Sequence, residues 1–244
     1  ACGLDGGSSG DPHFKTWDGA RYDFHGLCDL VLLENHDFTD DVEMDIHIRT
    51  KKMRSWSYIS NAVLRIGEDT LEVMGGEGRS HYWFNGLIGD TIEEDDFVLP
   101  VRLSGYPITF RFGLKRQHEY HVDLGNGEMI VIKTWNDLVR VDVLGGTEKH
   151  FGTSRGLMGK YGSGKHLSRD NLTEMEDVNE FGREWQVRKN EAKLFHNLEG
   201  AIAPQSCAFP SATEVRRRLR EAAISRKDAE IACSGVNELD RDLC

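Results

Sequence analysis

Apolar and polar residues alternate strictly along Val42-Glu43-Met44-Asp45-Ile46-His47-Ile48-Arg49, and the same period of two returns in Val139-Arg140-Val141-Asp142-Val143. This period sends successive side chains to opposite faces of an extended chain, so each segment reads as a strand with one buried face. Residues 58–66 and 70–74 flank the turn-like Gly67-Glu68-Asp69. Asn126-Gly127 supplies two residues tolerant of positive φ between Tyr120, Val122, Leu124 and residues 129–132, the signature of a two-residue hairpin. Pro100 and Pro107 punctuate residues 98–112 and belong at strand ends or edges, because proline cannot donate to a ladder. Residues 13–144 carry no helical periodicity, and the chain holds 26 glycines for its turns. These features predict an all-β protein, an antiparallel β-sandwich, without internal repeats.

Both ends read differently. Residues 2–10 are rich in Gly and Ser and read as irregular. After Pro210, Ser211-Ala212-Thr213-Glu214 fits a capping box, and Val215, Leu219 and Ala222 follow at helical spacing. Ser225-Arg226-Lys227-Asp228 fits the start of a second helix running to Cys233. The expected organisation is a β-sandwich domain over 1–210 and a short α-helical, cysteine-bearing tail over 211–244.

Charge and cysteine use narrow the function class. With 41 acidic against 30 basic residues the formal net charge is -11, which repels phosphate backbones and argues against a nucleic-acid partner. No apolar run approaches the ~18 residues of a membrane-spanning helix. Ala1-Cys2-Gly3-Leu4-Asp5 lacks a basic and apolar leader and reads as the start of a mature or excised fragment. The cysteines Cys2, Cys28, Cys207, Cys233 and Cys244 form no CxxC pair, which argues against a zinc ribbon or a thioredoxin-type motif. Their wide spacing suits long-range disulfides in an oxidising compartment, and five reduced cytosolic thiols is the alternative that the count leaves open.

Three stretches carry a family resemblance. The first runs Gly10-Asp11-Pro12-His13-Phe14-Lys15-Thr16-Trp17-Asp18-Gly19-Ala20-Arg21-Tyr22-Asp23-Phe24-His25-Gly26-Leu27-Cys28 and continues into the apolar Leu30-Val31-Leu32. The second is Gly156-Leu157-Met158-Gly159-Lys160-Tyr161, and the third Phe181-Gly182-Arg183-Glu184-Trp185-Gln186-Val187. The chain resembles the von Willebrand factor type D domain, whose opening signature, GLCGNY turn and FGxSW-V strand match in order and separation. The first stretch is long and specific; the others are weak alone and corroborate it. The tail resembles the beginning of the cysteine-rich region that often follows this domain.

The resemblance implies an extracellular structural or interaction module of a larger secreted or surface protein, active in adhesion or assembly. Its partners would be other extracellular proteins or other copies of itself. It implies a Cys28–Cys207 disulfide, and it leaves Cys2 without its usual partner because Met158 stands at that position. Cys2 is then free, or paired with Cys233, Cys244 or another chain, and a local Cys233–Cys244 bridge is a further alternative. It also implies calcium, bound by Asp18 together with Asp170, Asn171 and Asp177. Lys160 and Gly162 replace two usual ligands, so a cation-free loop, with the Lys160 ammonium taking the structural part of the ion, is the competing expectation. Calcium takes about six to eight oxygen ligands, which makes those losses costly. Asn171-Leu172-Thr173 is an N-glycosylation sequon, and a glycan on Asn171 would compete with its use as a ligand.

The expectation is a non-enzyme. Two enzymatic alternatives arise from the resemblance: self-cleavage at Asp11-Pro12 with His13 assisting proton transfer, and a luciferase-like oxygenase acting on an imidazopyrazinone. The luciferases concerned carry more than one such module and more cysteines. Other motifs are formal matches only. Residues 159–166 nearly spell a P-loop, but His166 stands where the magnesium-binding hydroxyl belongs. Gly6-Gly7-Ser8-Ser9-Gly10 matches GxSxG without a strand before it and a helix after it. His118 and His121 lie three apart on a strand and point to opposite faces, so they cannot chelate together. The acidic run Asp90-Thr91-Ile92-Glu93-Glu94-Asp95-Asp96 lacks EF-hand spacing and reads as a solvated loop.

Overall fold

The computed structural model describes residues 3–39, 42–53, 56–76, 79–89, 102–112, 117–197 and 207–209. Cys2, the run 90–96, Pro100 and the tail 211–244 with Cys233 and Cys244 lie outside the described residues.

The described strands are β1 (Leu4–Ser9), β2 (His13–Lys15), β3 (Arg21–Asp23), β4 (Asp29–Thr39), β5 (Val42–Met53), β6 (Trp56–Ile66), β7 (Asp69–Gly76), β8 (Arg79–Phe84), β9 (Leu87–Ile88), β10 (Arg102–Leu103), β11 (Tyr106–Phe112), β12 (Gln117–Gly125), β13 (Glu128–Trp135) and β14 (Leu138–Gly146). Two short helices follow, α1 (Glu148–Phe151) and α2 (Val178–Glu184). The strands form an eight-stranded sheet, ordered β10-β11-β12-β13-β14-β1-β2-β3, and a six-stranded sheet, ordered β4-β5-β6-β7-β8-β9. All named pairings are antiparallel, and β13 and β14 lie against β6 and β7 to make the sandwich. No helix among the described residues is long and apolar enough to cross a membrane.

The alternation places the core. Met44, Ile46 and Ile48 of β5 are fully buried, as are Leu64, Leu71 and Val73 on the neighbouring strands. Val122, Ile130, Ile132, Val141 and Val143 meet them from the other sheet. Each such side chain contributes about 1.5–3 kcal/mol of burial. The Asn126-Gly127 hairpin forms with both residues at positive φ, 55° and 84°. Gly19 (φ 87°) turns the chain between β2 and β3.

Two expectations are corrected. Residues 2–10, read as irregular, hold β1, which pairs with β14 on one side and β2 on the other. Close approach favours its glycines: a Cβ on Gly7 would run into the Val141 main-chain carbonyl, and one on Gly6 into the end of the Met158 side chain. Met158 is buried there, so a methionine fills the space beside β1 where the resemblance would place a cysteine. Residues 181–187, read as a strand, hold the end of α2 instead, and only Gln186 bridges to Leu30 of β4. Asp177 caps this helix, its carboxylate accepting from the Asn179 and Glu180 amides, which redirects the segment into a helical turn.

Beyond α2 the chain crosses the outer face of the six-stranded sheet. Val63, Leu194 and Phe195 form a small apolar cluster. Arg49 lies over the Phe195 ring at 4.3 Å and donates to the Asn197 carbonyl at 2.7 Å. A disulfide joins Cys28 to Cys207 across 179 residues of sequence.

Candidate functional site

Two places gather the chemistry-bearing residues. The first is the turn between β1 and β2. The His13 amide donates to the Asp11 carbonyl, the carbonyl of the Asp11–Pro12 bond itself. The Phe24 amide donates to the Pro12 carbonyl at 3.2 Å, which fixes the turn against β3. His13 Nδ1 lies 2.6 Å from Asp23 Oδ1, and His13 Nε2 faces Asp11 Oδ2 at 3.7 Å. His25 Nδ1 approaches the other Asp11 oxygen at 3.7 Å. All four side chains are partly open to solvent. Sequence reasoning singled out Asp11, Pro12 and His13. It missed Asp23 and His25, whose alternation along residues 21–25 was the available signal.

The second place is the loop between residues 156 and 185, where all three family-like stretches meet. Trp17 donates its amide to the Met158 carbonyl at 3.2 Å, and the Tyr22 hydroxyl donates to the Leu157 carbonyl at 2.5 Å. The Leu157 and Met158 amides bond back to Val31 and Leu32 of β4. The Val31 amide reaches the Trp185 carbonyl at 2.8 Å. The His166 ring stacks on Phe181 with centroids 4.3 Å apart and meets the edge of Tyr22 at 4.7 Å. Burial pushes the Tyr22 hydroxyl well above its ordinary pKa and lowers that of His166.

Of the four expected calcium donors, the three aspartates are each engaged locally. Asp18 Oδ1 accepts from Thr16 Oγ1 at 2.5 Å and from the Ala20 amide at 3.2 Å; the Thr16 bond is the main reason its pKa lies below the ordinary carboxylate value. Asp18 also abuts Gly164, where a Cβ would stand 2.1 Å from Oδ1. Asp170 accepts from Ser168 Oγ at 2.5 Å and from the Leu172 amide at 3.0 Å, which lowers its pKa, Ser168 first. Asp177 is the α2 cap. Asn171 (φ 59°) sits at the tip of a small hairpin closed by the Leu167–Glu174 bridge. Among the described residues no three His, Cys, Asp or Glu side chains converge as a metal site. A hard cation needing about six oxygens does not fit this donor set.

Arg169, legible in the sequence only as one of several basic residues of this stretch, is the centre of the loop. Its Nε donates to the Glu184 carbonyl at 2.7 Å and its second terminal nitrogen to the Gln186 carbonyl at 2.8 Å. The first terminal nitrogen pairs with Glu191. The guanidinium lies over the Trp185 ring at 4.9 Å. Lys165 pairs with Glu174 at 2.7 Å. The Lys160 amide closes the loop onto the Lys165 carbonyl at 2.9 Å.

Two grooves accompany these places. One of about 230 Å³ is lined by glycine and polar residues together with Lys160, Leu167, Asn171 and Trp185. The other, about 300 Å³, lies over Gly7 and is lined by His13, Lys15, Arg21, Asp23, Arg140 and Asp142 among others. His118 and His121 occupy opposite faces of β12: the first accepts from the Ser80 amide at 3.0 Å, the second pairs with Glu119 at 2.8 Å.

The von Willebrand factor type D domain model matches residues 7–163. The chain is also similar to Mucin-5B of Gallus gallus, 32% identical over 73 residues, which is 30% of this chain and 3% of that protein. The chain thus spans a small fraction of the length of the relative that it matches.

Proposed function

The chain belongs to the von Willebrand factor type D domain family, and from that premise we propose that it is an extracellular structural and protein-interaction module of a larger secreted or surface protein. Its work is adhesion or assembly, with other extracellular proteins or further copies of itself as partners. The observation that carries this reading is the Cys28–Cys207 bond, a long-range crosslink of the kind that oxidising compartments maintain and a reducing cytosol does not. Thiol alkylation of the protein isolated from its own source tests it. Cys28 and Cys207 are expected to resist alkylation until a reductant is added; ready alkylation of both without reductant would overturn the extracellular assignment. Sedimentation of the oxidised protein across a concentration range tests self-assembly: association is expected, and a monomer throughout assigns the binding to other proteins.

An N-linked glycan on Asn171 belongs to the same reading. The side chain sits at an exposed hairpin tip, and the next residue, Leu172, is 84% exposed. Secreted protein is expected to lose mass on treatment with an amide-cleaving glycosidase, and Thr173→Ala to abolish that loss.

A second reading, slow self-cleavage at Asp11–Pro12, is favoured by one observation. The His13 amide already donates to the carbonyl oxygen on which negative charge would develop. In this reading an Asp11 carboxylate oxygen attacks its own main-chain carbonyl carbon. The bond to the Pro12 nitrogen breaks, that nitrogen takes a proton from the His13 imidazolium, and water opens the resulting anhydride. Asp23 positions the His13 ring. Prolonged incubation at mildly acidic pH is expected to yield two fragments split before Pro12. An unchanged intact mass sinks this reading.

A further inference from the structure

We infer that the Arg169 guanidinium, rather than a bound metal ion, is the structural cation of the loop between Gly159 and Trp185. The oxygens that gather on it are those a hard cation would take: two main-chain carbonyls, of Glu184 and Gln186, and the Glu191 carboxylate. The two carbonyls lie at the C-terminal end of α2, where the helix presents its negative pole. The side chain is only 13% exposed, so these bonds work with little competition from water. A guanidinium suits the task because its five donors spread in one plane, and its flat face stacks on Trp185.

The network ties the loop to the rest of the fold. Arg155 donates to the Arg169 carbonyl at 2.9 Å and pairs with Glu34 of β4 at 2.8 Å. The Arg169 amide donates to Glu184 Oε1 at 3.2 Å. Trp185 Nε1 donates to the Leu167 carbonyl at 3.1 Å. Arg169 therefore fixes the loop to the end of α2 and the segment beyond it, and Arg155 carries the network on to the six-stranded sheet. The acidic side chains that an ion would need do not converge, being held in separate local motifs, the Asp18 turn, the Asp170 turn and the α2 cap. Lys160, the cation expected from the sequence, contributes its backbone to loop closure, and its side chain is exposed.

Thermal unfolding of the oxidised protein, in millimolar calcium chloride and in excess EDTA, tests this directly. Ligand binding to the native state alone raises the midpoint, so the expected result is the same midpoint in both. Arg169→Gln is expected to unfold at a lower temperature, by the same amount in calcium and in EDTA. Arg169→Lys keeps the charge, loses the planar fork, and is expected to unfold below wild type as well. A wild-type midpoint that rises with calcium and falls back with EDTA overturns the inference, as does an Arg169→Gln protein as stable as wild type. If Arg169→Gln does not fold, equilibrium dialysis of the wild-type protein against radiocalcium decides: no retention is expected, and stoichiometric retention overturns the assignment.

Discussion

His47 illustrates what a single residue of the alternating pattern does once the sheet is covered. It stands on β5 between Val31 and Val63, on the face that the chain beyond α2 crosses. Its Nδ1 has no hydrogen-bond partner among the described residues. Burial, with Arg169 and Arg65 adding positive charge nearby, depresses its pKa from 6.5 to about 3. The folded protein thus holds it neutral while the unfolded chain binds a proton between those two values. The stability it allows is present in full above pH 6.5 and is lost as pH falls toward 3, by up to about 1.4 kcal/mol per pH unit. Urea midpoints measured from pH 7 to pH 5 are expected to fall, and His47→Met to flatten that slope. The pattern made His47 visible in the sequence as an outward-facing strand residue. That its face is buried depends on residues 185–197, more than a hundred positions away, and no local pattern announces them.

At the scale of elements, the segment beyond α2 is held by a buried carboxylate. Glu72 of β7 is fully buried, and its Oε2 accepts the His196 and Asn197 amides at 2.7 and 3.0 Å. Its Oε1 accepts from Asn61 at 3.0 Å, while His196 bonds Thr70 at 3.0 Å. Glu72→Leu leaves these buried donors without partners, at a cost of about 3 kcal/mol. Chemical denaturation is expected to register that loss, and limited proteolysis to cut within residues 187–197 sooner. The elements themselves differ in legibility. β5 and β14 follow from their own alternation, and β12, β13 and the turn between them from Asn126-Gly127 flanked by apolar runs. β1 does not, because its Gly and Ser residues have weak strand preference and it forms only by pairing with β14 and β2. α2 does not either: its seven residues are too few for a helical period, and its start is set by the Asp177 cap.

For the whole molecule, the Cys28–Cys207 bond closes nearly the entire sandwich. Chain entropy alone assigns such a closure about 5 kcal/mol, and loss of a native disulfide commonly costs about 2–5 kcal/mol. The paired substitution Cys28→Ser with Cys207→Ser is expected to lower the unfolding free energy within that range, and reductant to do the same to the wild-type protein. The candidate sites divide along the same line as the elements. Asp11, Pro12 and His13 were legible because they are contiguous. Asp23 and His25 join them only because β2 and β3 pair. Asp18, Asp170, Asn171 and Asp177 were legible as residue types, but whether they converge is a property of the folded loop, and each has its own local hydrogen bonds or turn. Arg169 was legible only as a basic residue and its anchoring role was not, since its partners at Glu184, Gln186 and Glu191 are defined by how α2 and the chain after it lie on the sheet. The sequence by itself determined the strongly patterned strands, their buried faces and the family, because side-chain period and a contiguous signature are carried by neighbouring residues. Only the tertiary structure decided where β1 sits, what covers His47 and which cation anchors the loop, because those are set by contacts between residues that the chain keeps far apart.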